Sequence, residues 1–594
     1  MQRSPKSRFA FWFLTVATVV LILAPPIADR AGAAAAQRPN VVLVMTDDQG
    51  YGDVGVHGNP MINTPNLDRL HGQSVRLTDY HVDPTCSPTR SALLTGRYSS
   101  RTGVWHTIMG RSLLRAGEVT LGDVFEQNGY ATAMFGKWHL GDNYPLRPEH
   151  RGFQEVIAHG GGGITQTPDY WGNDYFDDTY WHNGVPTKYE GYCTDVFFDG
   201  ALAFIEKNRE EPFFAYIATN TPHGPLNVDP KYSEPYVQKG VPAGMAKFYG
   251  MIENIDENMG RLMVKLDEWG LDDNTILIFT TDNGTAGGIA GTPKTPKKGQ
   301  PAAKESWRGF NDGMRGKKGS EYDGGHRVPF FIRWPAGKLT GGRDVDQITA
   351  HVDVLPTLSD LCDLKPVKTL PLDGVSLAPL LRQTTSDWPA RTLFVHSQRI
   401  EHPEKWRKSA VMTQRWRLVN GKELYDIQAD PGQTKDLADE QPEVVAKLTK
   451  QYDGWWDGLR ERFDEYVRIV IGAEQENPTR ITCHDWHGAS VPWNQGQVRS
   501  APFANGFWAI DVARDGTYEF TLRQQPTPAN FPIQATEAQL KIGGVELSKP
   551  IEDGATGVTL TAELKAGQTR METSFTDANG KSRGAFFVYV RRLP

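Results

Sequence analysis

The sequence predicts an α/β fold with a doubly wound, mostly parallel sheet, followed by a C-terminal antiparallel β domain. From Asn40 onward, short β-branched runs alternate with segments of helical apolar spacing, which is typical of βαβ units. Several of these runs are apolar throughout, as strands covered on both faces are. Beyond residue 471 the pattern changes to an alternation of apolar and polar residues broken by glycine turns.

The elements of the first part follow from these apolar patterns. Val41–Met45 is a continuous apolar run at the start of the region, and three later runs share its character. We expect those strands at Ala131–Phe135, Phe213–Ala218 and Thr275–Thr280. Apolar residues recur at helical spacing at 250–269 and near 443–463, which predicts two long helices. The first domain is therefore expected to span residues 38–470.

Residues 471–594 are expected to form the separate β-rich domain. Two alternating segments flank Asp515-Gly516, which predicts a hairpin at this turn. The pair Gly543-Gly544 indicates a second hairpin in the same way. Alternation at 558–564 and an apolar run at 587–590 predict two further strands.

Composition excludes several classes of protein. The chain has 594 residues and a formal net charge of −7, so no overall positive field is present to hold a nucleic acid or an anionic membrane surface. With 39% hydrophobic residues the chain can bury a large core, which excludes wholesale disorder. Four cysteines are too few for a disulfide framework, and Cys193, Cys362 and Cys483 are interpreted as isolated buried residues.

The N-terminal segment has the pattern of a secretory signal peptide. Arg3, Lys6 and Arg8 precede an uncharged apolar run at 9–24, and small residues follow it. The run is shorter than the roughly 20 residues that a spanning helix needs, so cleavage is favoured over a retained anchor. We therefore expect residues 1–33 to be removed and the mature protein to be periplasmic or extracellular, without stable membrane insertion.

Acidic clusters follow two of the predicted strands. Asp47 and Asp48 come directly after the first strand, and Asp282-Asn283 follows the strand that ends at Thr280. In a parallel sheet both clusters fall at carboxyl ends, where ligands bind. Oxygen donors without His or Cys favour Ca²⁺ or Mg²⁺ over Zn²⁺. Each cluster alone would be interpreted as a turn or helix cap, but the pair indicates a divalent metal site.

Cys86 is expected at the N-terminus of a helix. The segment Cys86–Arg90 precedes a helical stretch, and Pro88 suits its first turn. Anionic groups are stabilised at such a terminus, and Arg90 lies one turn further on. From these residues alone, a nucleophile and an inert thiol are equally open interpretations.

The segment Cys86–Arg90, with Leu94–Arg97, resembles the signature of type I sulfatases, in which a maturation enzyme oxidises the cysteine to formylglycine. Further segments occur in the order found in arylsulfatase-like members of the alkaline phosphatase superfamily, and the resemblance spans residues 40 to 465. These segments are Asn40–Val42, Thr46–Asp48, Gly136–Gly141, Thr221–Pro225, Thr281–Gly284, Lys318–Ser320 and Asp323–Pro329. The resemblance implies an alkaline-phosphatase-like fold.

The resemblance also implies a metal centre and a nucleophile. A divalent ion, Ca²⁺ in preference to Mg²⁺, would be bound by Asp47, Asp48, Asp282, Asn283 and the formylglycine derived from Cys86. One hydroxyl of the hydrated aldehyde would attack sulfur, helped by the metal and by a neighbouring carboxylate, Asp282 by analogy.

Five further catalytic residues are implied by the same resemblance. Arg90 and Lys137 would hold the formylglycine and the sulfate oxygens. His223 and Lys318 would neutralise the bridging oxygen and protonate the leaving alcohol. His139 would take a proton from the second hydroxyl, which expels sulfate and regenerates the aldehyde.

Other features have plainer interpretations. Gly160–Gly163 lacks the lysine and serine of a phosphate-binding loop and is interpreted as a flexible surface loop. The Lys-rich stretch 286–304 is interpreted as a solvated loop, with a rim that attracts a polyanion as the alternative. His484, Asp485 and His487 have ligand-like spacing, yet they lie beyond the first domain and are expected to be structural.

Asp323 departs from the family pattern, which has glutamate there, and we expect it to be a loop residue far from the ligands. The aromatic segment 170–181 fits either stacking on a sugar or aryl ring or ordinary packing.

The sequence therefore predicts an exported sulfatase that hydrolyses aryl or carbohydrate sulfate esters to an alcohol and inorganic sulfate. Its partners would be the sulfate ester and a formylglycine maturation enzyme, and no nucleic acid. A phosphoester or phosphonate hydrolase on the same scaffold is the first alternative, and a second, His-rich metal cluster would support it. A carbohydrate-binding relative without turnover is the second alternative. The β domain is expected to modulate substrate range rather than chemistry.

Overall fold

The computed structural model of this chain describes residues 38–287, 309–385 and 387–594. The expected signal peptide at 1–33 and most of the Lys-rich stretch, residues 288–304, lie outside the described residues.

Sixteen strands lie in the described residues before position 469. They are β1 (Asn40–Thr46), β2 (Val75–Leu77), β3 (Tyr80–His81), β4 (Ala131–Lys137), β5 (Glu155–His159), β6 (Thr179–His182), β7 (Val185–Lys188), β8 (Phe213–Ala218), β9 (Thr275–Thr281), β10 (Phe330–Arg333), β11 (Arg343–Val345), β12 (Thr349–Ala350), β13 (Leu393–His396), β14 (Ser409–Met412), β15 (Trp416–Val419) and β16 (Glu423–Asp426).

The helices of the described residues, in chain order, are α1 (Pro65–Gln73), α2 (Cys86–Thr95), α3 (Leu121–Gln127), α4 (Cys193–Lys207), α5 (Pro230–Gln238), α6 (Ala243–Glu268), α7 (Asp323–His326), α8 (Val354–Leu361), α9 (Ala378–Leu381), α10 (Pro442–Arg460) and α11 (Gln495–Ser500). The two long helices that apolar spacing predicted correspond to α6 and α10. Within these described segments, no helix has the length and hydropathy needed to cross a bilayer.

Ten strands form one sheet in the order β11-β2-β10-β9-β1-β8-β4-β5-β6-β7. The five central strands, from β9 to β5, are all parallel. At the two sides, β10 runs antiparallel to β9 and β6 runs antiparallel to β5. The predicted sheet is confirmed, with a parallel centre and mixed edges. The four predicted strands match β1, β4, β8 and β9 to within two residues at either end.

Both faces of this sheet are covered, as a doubly wound fold requires. Successive residues of β1 point to opposite faces because side chains alternate along a strand. Val41 and Leu43 pack in one apolar cluster with residues of α2, α3 and α8. Val42 and Val44 pack in a second cluster with residues of α1, α4 and α6. These two layers fix the strands, and therefore the loops at their carboxyl ends.

A smaller antiparallel sheet, in the order β13-β14-β15-β16, follows the central sheet in the chain. It packs with α10 in an apolar cluster rich in aromatic side chains, including Tyr452, Trp455 and Trp456. A separate two-stranded sheet pairs β3, which precedes α2 in the chain, with β12, which follows β11.

The C-terminal part consists of two further sheets. Its strands are β17 (Ile469–Ile471), β18 (Thr479–Thr482), β19 (Phe507–Val512), β20 (Gly516–Arg523), β21 (Glu537–Ile542), β22 (Val545–Pro550), β23 (Val558–Leu564), β24 (Gly567–Thr576), β25 (Ser582–Arg583) and β26 (Phe587–Arg592). One sheet has the order β17-β19-β24-β21-β22, with β25 paired to β24, and the other has the order β18-β26-β20-β23. The two sheets share one apolar cluster.

The expected hairpin at Asp515-Gly516 is wrong. The strands on either side, β19 and β20, exist but do not pair, because β19 pairs with β17 and β24 whereas β20 pairs with β23 and β26. The chain crosses here from one sheet to the other, so that the apolar sides of both strands meet in the common core. The hairpin at Gly543-Gly544 is confirmed, with β21 paired to β22 and both glycines at positive φ.

Candidate active site

Four loops meet at the carboxyl edge of the central sheet. Asp47 follows β1, Lys137 ends β4, His223 follows β8 and Asp282 follows β9. Backbone hydrogen bonds join neighbouring loops, since Asp47 N donates to Thr221 O at 3.1 Å and Asp282 N donates to Thr46 O at 3.1 Å. The sheet therefore brings together side chains that are far apart in the sequence.

Two buried ion pairs lie at the centre of this edge. The Lys137 ammonium is 2.6 Å from Asp47 Oδ2, and neither side chain is exposed. The Arg90 guanidinium donates through Nε and Nη2 to Asp282 Oδ2 at 3.1 and 2.8 Å. Arg90 Nη1 also donates to Lys137 O at 2.9 Å, which links the two pairs. Burial, followed by repulsion from Asp282, raises the pKa of Asp47 to about 8.

Asp48 connects most of the remaining predicted residues. Its backbone has a positive φ of 71°, and its N–H donates to Asp282 Oδ1 at 3.2 Å. Its Oδ1 lies 2.5 Å from Lys318 Nζ and accepts from Asn283 Nδ2 at 2.9 Å. His223 Nε2 is 3.9 Å from its other oxygen. Burial favours the protonated acid, but Lys318 and His223 together hold the pKa of Asp48 below its usual range.

Cys86 is the first residue of α2, so the predicted helix terminus is confirmed. The residue is 2% exposed, and Sγ donates to Asp47 Oδ1 at 3.6 Å. Burial raises the pKa of this thiol to about 12, which leaves an unmodified cysteine protonated at neutral pH. All four cysteines of the chain are free and buried, as expected for residues outside any disulfide framework.

The donor set at this edge fits a hard divalent cation. Asn283 Oδ1 is buried and has no hydrogen-bond partner among the described residues, although the amide nitrogen donates to Asp48 and to Gly284 O. Ligating atoms of Asp47, Asp48, Cys86 and His223 lie within 4.8 Å of one another. Carboxylate and amide oxygens suit Ca²⁺ or Mg²⁺, and an unpartnered buried oxygen is what a bound cation would satisfy.

His139 presents one free ring nitrogen. Its backbone also has a positive φ, 62°, and its Nε2 lies 2.9 Å from Thr107 O. A carbonyl only accepts, so Nε2 carries the proton and Nδ1 is the basic nitrogen. Nδ1 is buried without a hydrogen-bond partner among the residues described. Burial, with Lys137 adding to it, lowers the pKa of His139 well below its usual range and keeps the ring neutral.

His223 and Lys318 are the more exposed members of the site. Their side chains are 16% and 18% exposed, whereas those of Lys137 and Arg90 are fully buried. Burial and Lys318 lower the pKa of His223 to about 3. Burial opposes the charged form of Lys318, but Asp48 raises its pKa above the usual range. These two side chains are therefore the most accessible to solvent of the four compared.

A cavity of about 110 Å³ opens onto these residues. Cys86, His139, His223 and Lys318 line it, together with five residues that sequence reasoning missed and one glycine. The missed residues are Thr107, Ile108, Gln166, Arg399 and Trp493. No local sequence motif distinguishes these residues, because they come from distant parts of the chain that meet only in the folded structure. Four of the ten predicted site residues thus line one cavity, which we call the reaction cavity, and hydrogen bonds and ion pairs join the other six to this group.

The expectation of a flexible surface loop at Gly160–Gly163 is wrong. All four glycines are buried, and Gly162 lines the reaction cavity. A Cβ at Gly162 would lie 2.2 Å from His139 Cε1, so only glycine lets the backbone pass this close to the ring. The loop is a wall of the site.

Asp323 is also placed differently from expectation. It is the first residue of α7, has no exposed surface and accepts from Arg417 Nε at 3.1 Å. It is a buried ion-pair partner because α7 packs against the small sheet that carries Arg417.

His484 and its neighbours make structural contacts. His484 Nδ1 is 3.2 Å from Asp485 Oδ1, and His487 Nδ1 is 2.9 Å from Glu401 Oε1. The centres of the His484 and His139 rings are 6.3 Å apart, so this segment packs against a residue that lines the reaction cavity.

Comparison with known proteins gives concordant matches. A sequence model of the family described as Sulfatase matches residues 39–364, and one described as N-sulphoglucosamine sulphohydrolase, C-terminal, matches residues 317–455. Arylsulfatase A of Homo sapiens is 30% identical over 460 residues, which cover 71% of this chain and 84% of the relative. N-acetylgalactosamine-6-sulfatase of Rattus norvegicus is 30% identical over 375 residues, covering 59% of this chain and 67% of the relative.

Among solved structures, that of Ps i-CgsB in complex with k-i-k-neocarrahexaose is similar with a TM-score of 0.62 and 26% identity. The match covers 73% of this chain and 95% of that chain. The similarity extends over the region that carries the site.

Proposed function

We propose that this chain, which belongs to the sulfatase family, is an exported carbohydrate sulfatase that works through a formylglycine at position 86. Family membership makes the chain a sulfuric ester hydrolase. The proposal adds the modified residue, the substrate class and export. The observation that carries it is the floor of the reaction cavity, where Cys86 lies beside Asp47 and the paired cations.

The charges of the floor support recognition of a sulfate ester. Asp47, Asp48 and Asp282 each lie beside one cation of the site. A divalent ion held by Asp47, Asp48, Asp282 and Asn283 would supply Lewis-acid charge beside residue 86. The positive charge of such an ion would favour binding of the negatively charged sulfate group.

The chemistry at residue 86 supports modification. A thiol is a soft ligand among hard oxygen donors, and this one is held protonated by burial. A formylglycine would supply an oxygen nucleophile and make the donor set entirely oxygen. Its conversion from cysteine requires the maturation enzyme, which is the proposed protein partner.

His139 and His223 have different proton-transfer roles in this proposal. His139, deep in the site, has its Nδ1 free and neutral, so it accepts a proton beside residue 86. Lys318, the more exposed cation of the site, donates to the bridging oxygen as the alcohol departs. His223 Nδ1 donates to Gly224 O at 2.7 Å, so this ring can donate through Nε2 only after Nε2 gains a proton, which the anionic ester favours. The sulfur–oxygen bond to the alcohol breaks, and water supplies the oxygen that leaves with sulfate.

Two relatives support a carbohydrate substrate. The names of the rat N-acetylgalactosamine-6-sulfatase and of the neocarrahexaose-bound structure refer to sugars. The reaction cavity, about 110 Å³, has room for a sulfate group and little more, so most of the substrate would lie at its mouth. Trp493, from the C-terminal part, lines this cavity and offers an aromatic surface for a ring.

The proposal is tested by mass spectrometry and kinetics on one preparation. We expect the peptide that contains residue 86 to have the mass of formylglycine when the protein is coexpressed with a maturation enzyme. The same sample should hydrolyse an aryl sulfate and sulfated monosaccharides, and an aryl phosphate far more slowly. A preference for the phosphate, or full activity with an unmodified thiol, would overturn the proposal.

The histidine assignment is tested with leaving groups of different basicity. His223→Ala should slow hydrolysis of sugar sulfates more than that of activated phenyl sulfates, because a basic alcohol needs protonation. His139→Ala is the matched variant and should slow both substrates alike. Identical leaving-group dependence in the two variants would show that the roles are misassigned.

Substrate range and export have separate tests. Trp493→Ala should raise KM for sulfated saccharides and leave kcat/KM for a small aryl sulfate within about twofold.

N-terminal sequencing of the protein from cell fractions should place the first residue after position 33, and recovery from the cytoplasm with residues 1–33 attached would contradict export.

A further inference from the structure

A second cavity, of about 550 Å³, lies between the edge of the central sheet and the C-terminal sheets. Its first wall comes from residues around 138–149, 158–160 and 181–186, and its second wall from residues around 475–480 with Tyr589. We call it the junction cavity. None of its lining residues lines the reaction cavity. The volume falls in the range of about 300–1,000 Å³ that small-molecule sites occupy.

The buried ring of His159 has an unused acceptor in the wall of this cavity. His159 is 3% exposed, and its Nδ1 lies 3.1 Å from Gly160 O, which fixes the proton on Nδ1. Its Nε2 is buried and has no hydrogen-bond partner in the described part of the chain. Burial lowers the pKa of His159 to about 3, so Nε2 is a neutral acceptor. A hydrogen-bond donor such as an O–H group, from water or from a ligand, would satisfy it.

Two other lining residues have unused hydrogen-bonding atoms. Arg147 Nε and Glu149 Oε2 are buried, and neither has a partner among the residues that the structure describes. Together with His159 the wall offers two acceptors and one donor. A hydroxyl group both donates and accepts, whereas an ionised sulfate only accepts. The unused atoms therefore match a ligand with several hydroxyl groups.

The remaining lining has the mixed character of a saccharide site. Trp138, Trp181 and Tyr589 provide aromatic surface for the apolar C–H faces of a sugar ring. The Arg480 guanidinium lies 4.9 Å from the centre of the Trp181 ring.

The charge of the lining disfavours a sulfated ring. Its acidic side chains are Asp142, Glu149 and Glu476, against the guanidinium groups of Arg147 and Arg480. Three carboxyl groups accompany two guanidinium groups and a neutral histidine, so the wall has no excess of cationic groups to recruit an anionic ligand.

We propose that the junction cavity binds an uncharged saccharide of one or two rings, at a site separate from the one that hydrolyses the sulfate ester. Hydroxyls of the sugar bind His159 Nε2, Glu149 and Arg147, and an aromatic residue packs against its ring. The C-terminal sheets thus complete a second binding site, in addition to supplying Trp493 to the first.

The experiment measures binding without turnover. Full-length protein is titrated calorimetrically with galactose, glucose, N-acetylgalactosamine and their unsulfated disaccharides. At least one should bind saturably, and Trp181→Ala and Glu149→Ala should each weaken it by at least about tenfold. Trp171→Ala and Glu155→Ala are matched controls outside the cavity and should change it by no more than about twofold. All four variants should keep the parent kcat/KM for an aryl sulfate.

Three results would overturn the proposal. The first is that no member of the panel binds. The second is that binding requires a sulfate group and is competitive with the aryl sulfate, which places the ligand in the reaction cavity. The third is that cyclohexanol, with a single hydroxyl, binds as tightly as the sugars, which makes the cavity an apolar pocket. None of these depends on sulfatase activity, so the two proposals fail separately.

Discussion

Two groups of buried carboxylates in this molecule have similar residues and different surroundings. The floor of the reaction cavity holds Asp47 and Asp48 beside Cys86 and His223, with potential ligand atoms within 4.8 Å of one another. Asp79, His81 and Asp323 form a second group within the same distance. The two groups differ in the arrangement of the nearby cations, in an unpaired amide oxygen and in access from a cavity.

In the second group a guanidinium lies between the carboxylates. Arg417 donates through Nη2 to Asp79 at 2.9 Å and through Nε to Asp323 at 3.1 Å, and its side chain has no exposed surface. His81 Nε2 is 2.8 Å from Asp79. We call these four residues the arginine-centred cluster. The arginine fills the space that an ion would need.

In the floor of the reaction cavity the cations lie around the carboxylates. Lys137, Arg90 and Lys318 each take one carboxylate, and Asn283 Oδ1 is left without a partner among the described residues. The comparison teaches that buried acidic clusters become reactive where an oxygen remains unpaired and a cavity gives access. Each prediction that follows tests this difference between the two groups.

The largest expected effect is a loss of activity with no loss of stability. Cys86→Ala removes the thiol from which the proposed formylglycine would form and breaks no ion pair, so sulfate ester hydrolysis should fall by about 10⁴-fold or more. The melting temperature should stay near that of the parent, measured by circular dichroism. Residual activity near the parent level would mean that another group attacks sulfur.

Metal removal should have the next largest effect. Dialysis against a chelator should lower kcat by on the order of 10³-fold, because Lewis-acid stabilisation contributes several kcal/mol, and Ca²⁺ or Mg²⁺ should restore it. Elemental analysis should find one ion per chain, since Arg417 occupies the second group. A second bound ion in the parent protein that is absent from the Asp79→Asn variant would contradict this difference between the two groups.

The arginine-centred cluster should show the opposite behaviour. Asp323→Asn leaves Arg417 with an incompletely compensated buried charge, so the free energy of unfolding should fall by about 3–5 kcal/mol. Urea denaturation measures this loss. The kcat of the folded fraction should be unchanged, and a large loss of kcat at full stability would assign Asp323 to the chemistry.

The smallest expected effect is the acid dependence of this cluster. Burial raises the pKa of Asp323, but Arg417 more than offsets it, and the pKa lies below its ordinary value of 3.8. A depressed folded pKa contributes stability that is complete above 3.8 and is lost as the pH falls further. The stability difference between the parent and Asp323→Asn should therefore be constant near neutrality and shrink below that pH. A difference that grows in acid would contradict the ion pair.

Local patterns predicted most of the site and much of the fold. The apolar runs of β1, β4, β8 and β9 place polar residues at strand ends, and a parallel sheet brings those ends to one edge. This geometry, with the family resemblance, predicts ten residues that the structure places in one connected group, four of them lining the reaction cavity.

What the sequence did not reveal depends on contacts between distant segments. Arg399 and Trp493 reach the cavity because the small sheet and the C-terminal sheets pack against the first part, and neither residue has a local signature. The Arg417–Asp323 pair is equally non-local. The predicted hairpin between β19 and β20 was wrong because the alternation of apolar and polar residues shows which face of a strand is buried. It does not show which other strand pairs with it.

The burial of Cys86 sets an order of events in the synthesis of the protein. The residue is 2% exposed at the start of α2, and the wall that covers its cavity includes Trp493, which leaves the ribosome long afterwards. Under the proposed modification, the maturation enzyme would therefore have to reach this side chain while the chain is still open. The finished fold would then leave residue 86 reachable only through the reaction cavity, so the proposed nucleophile would be made once, during biogenesis, and retained.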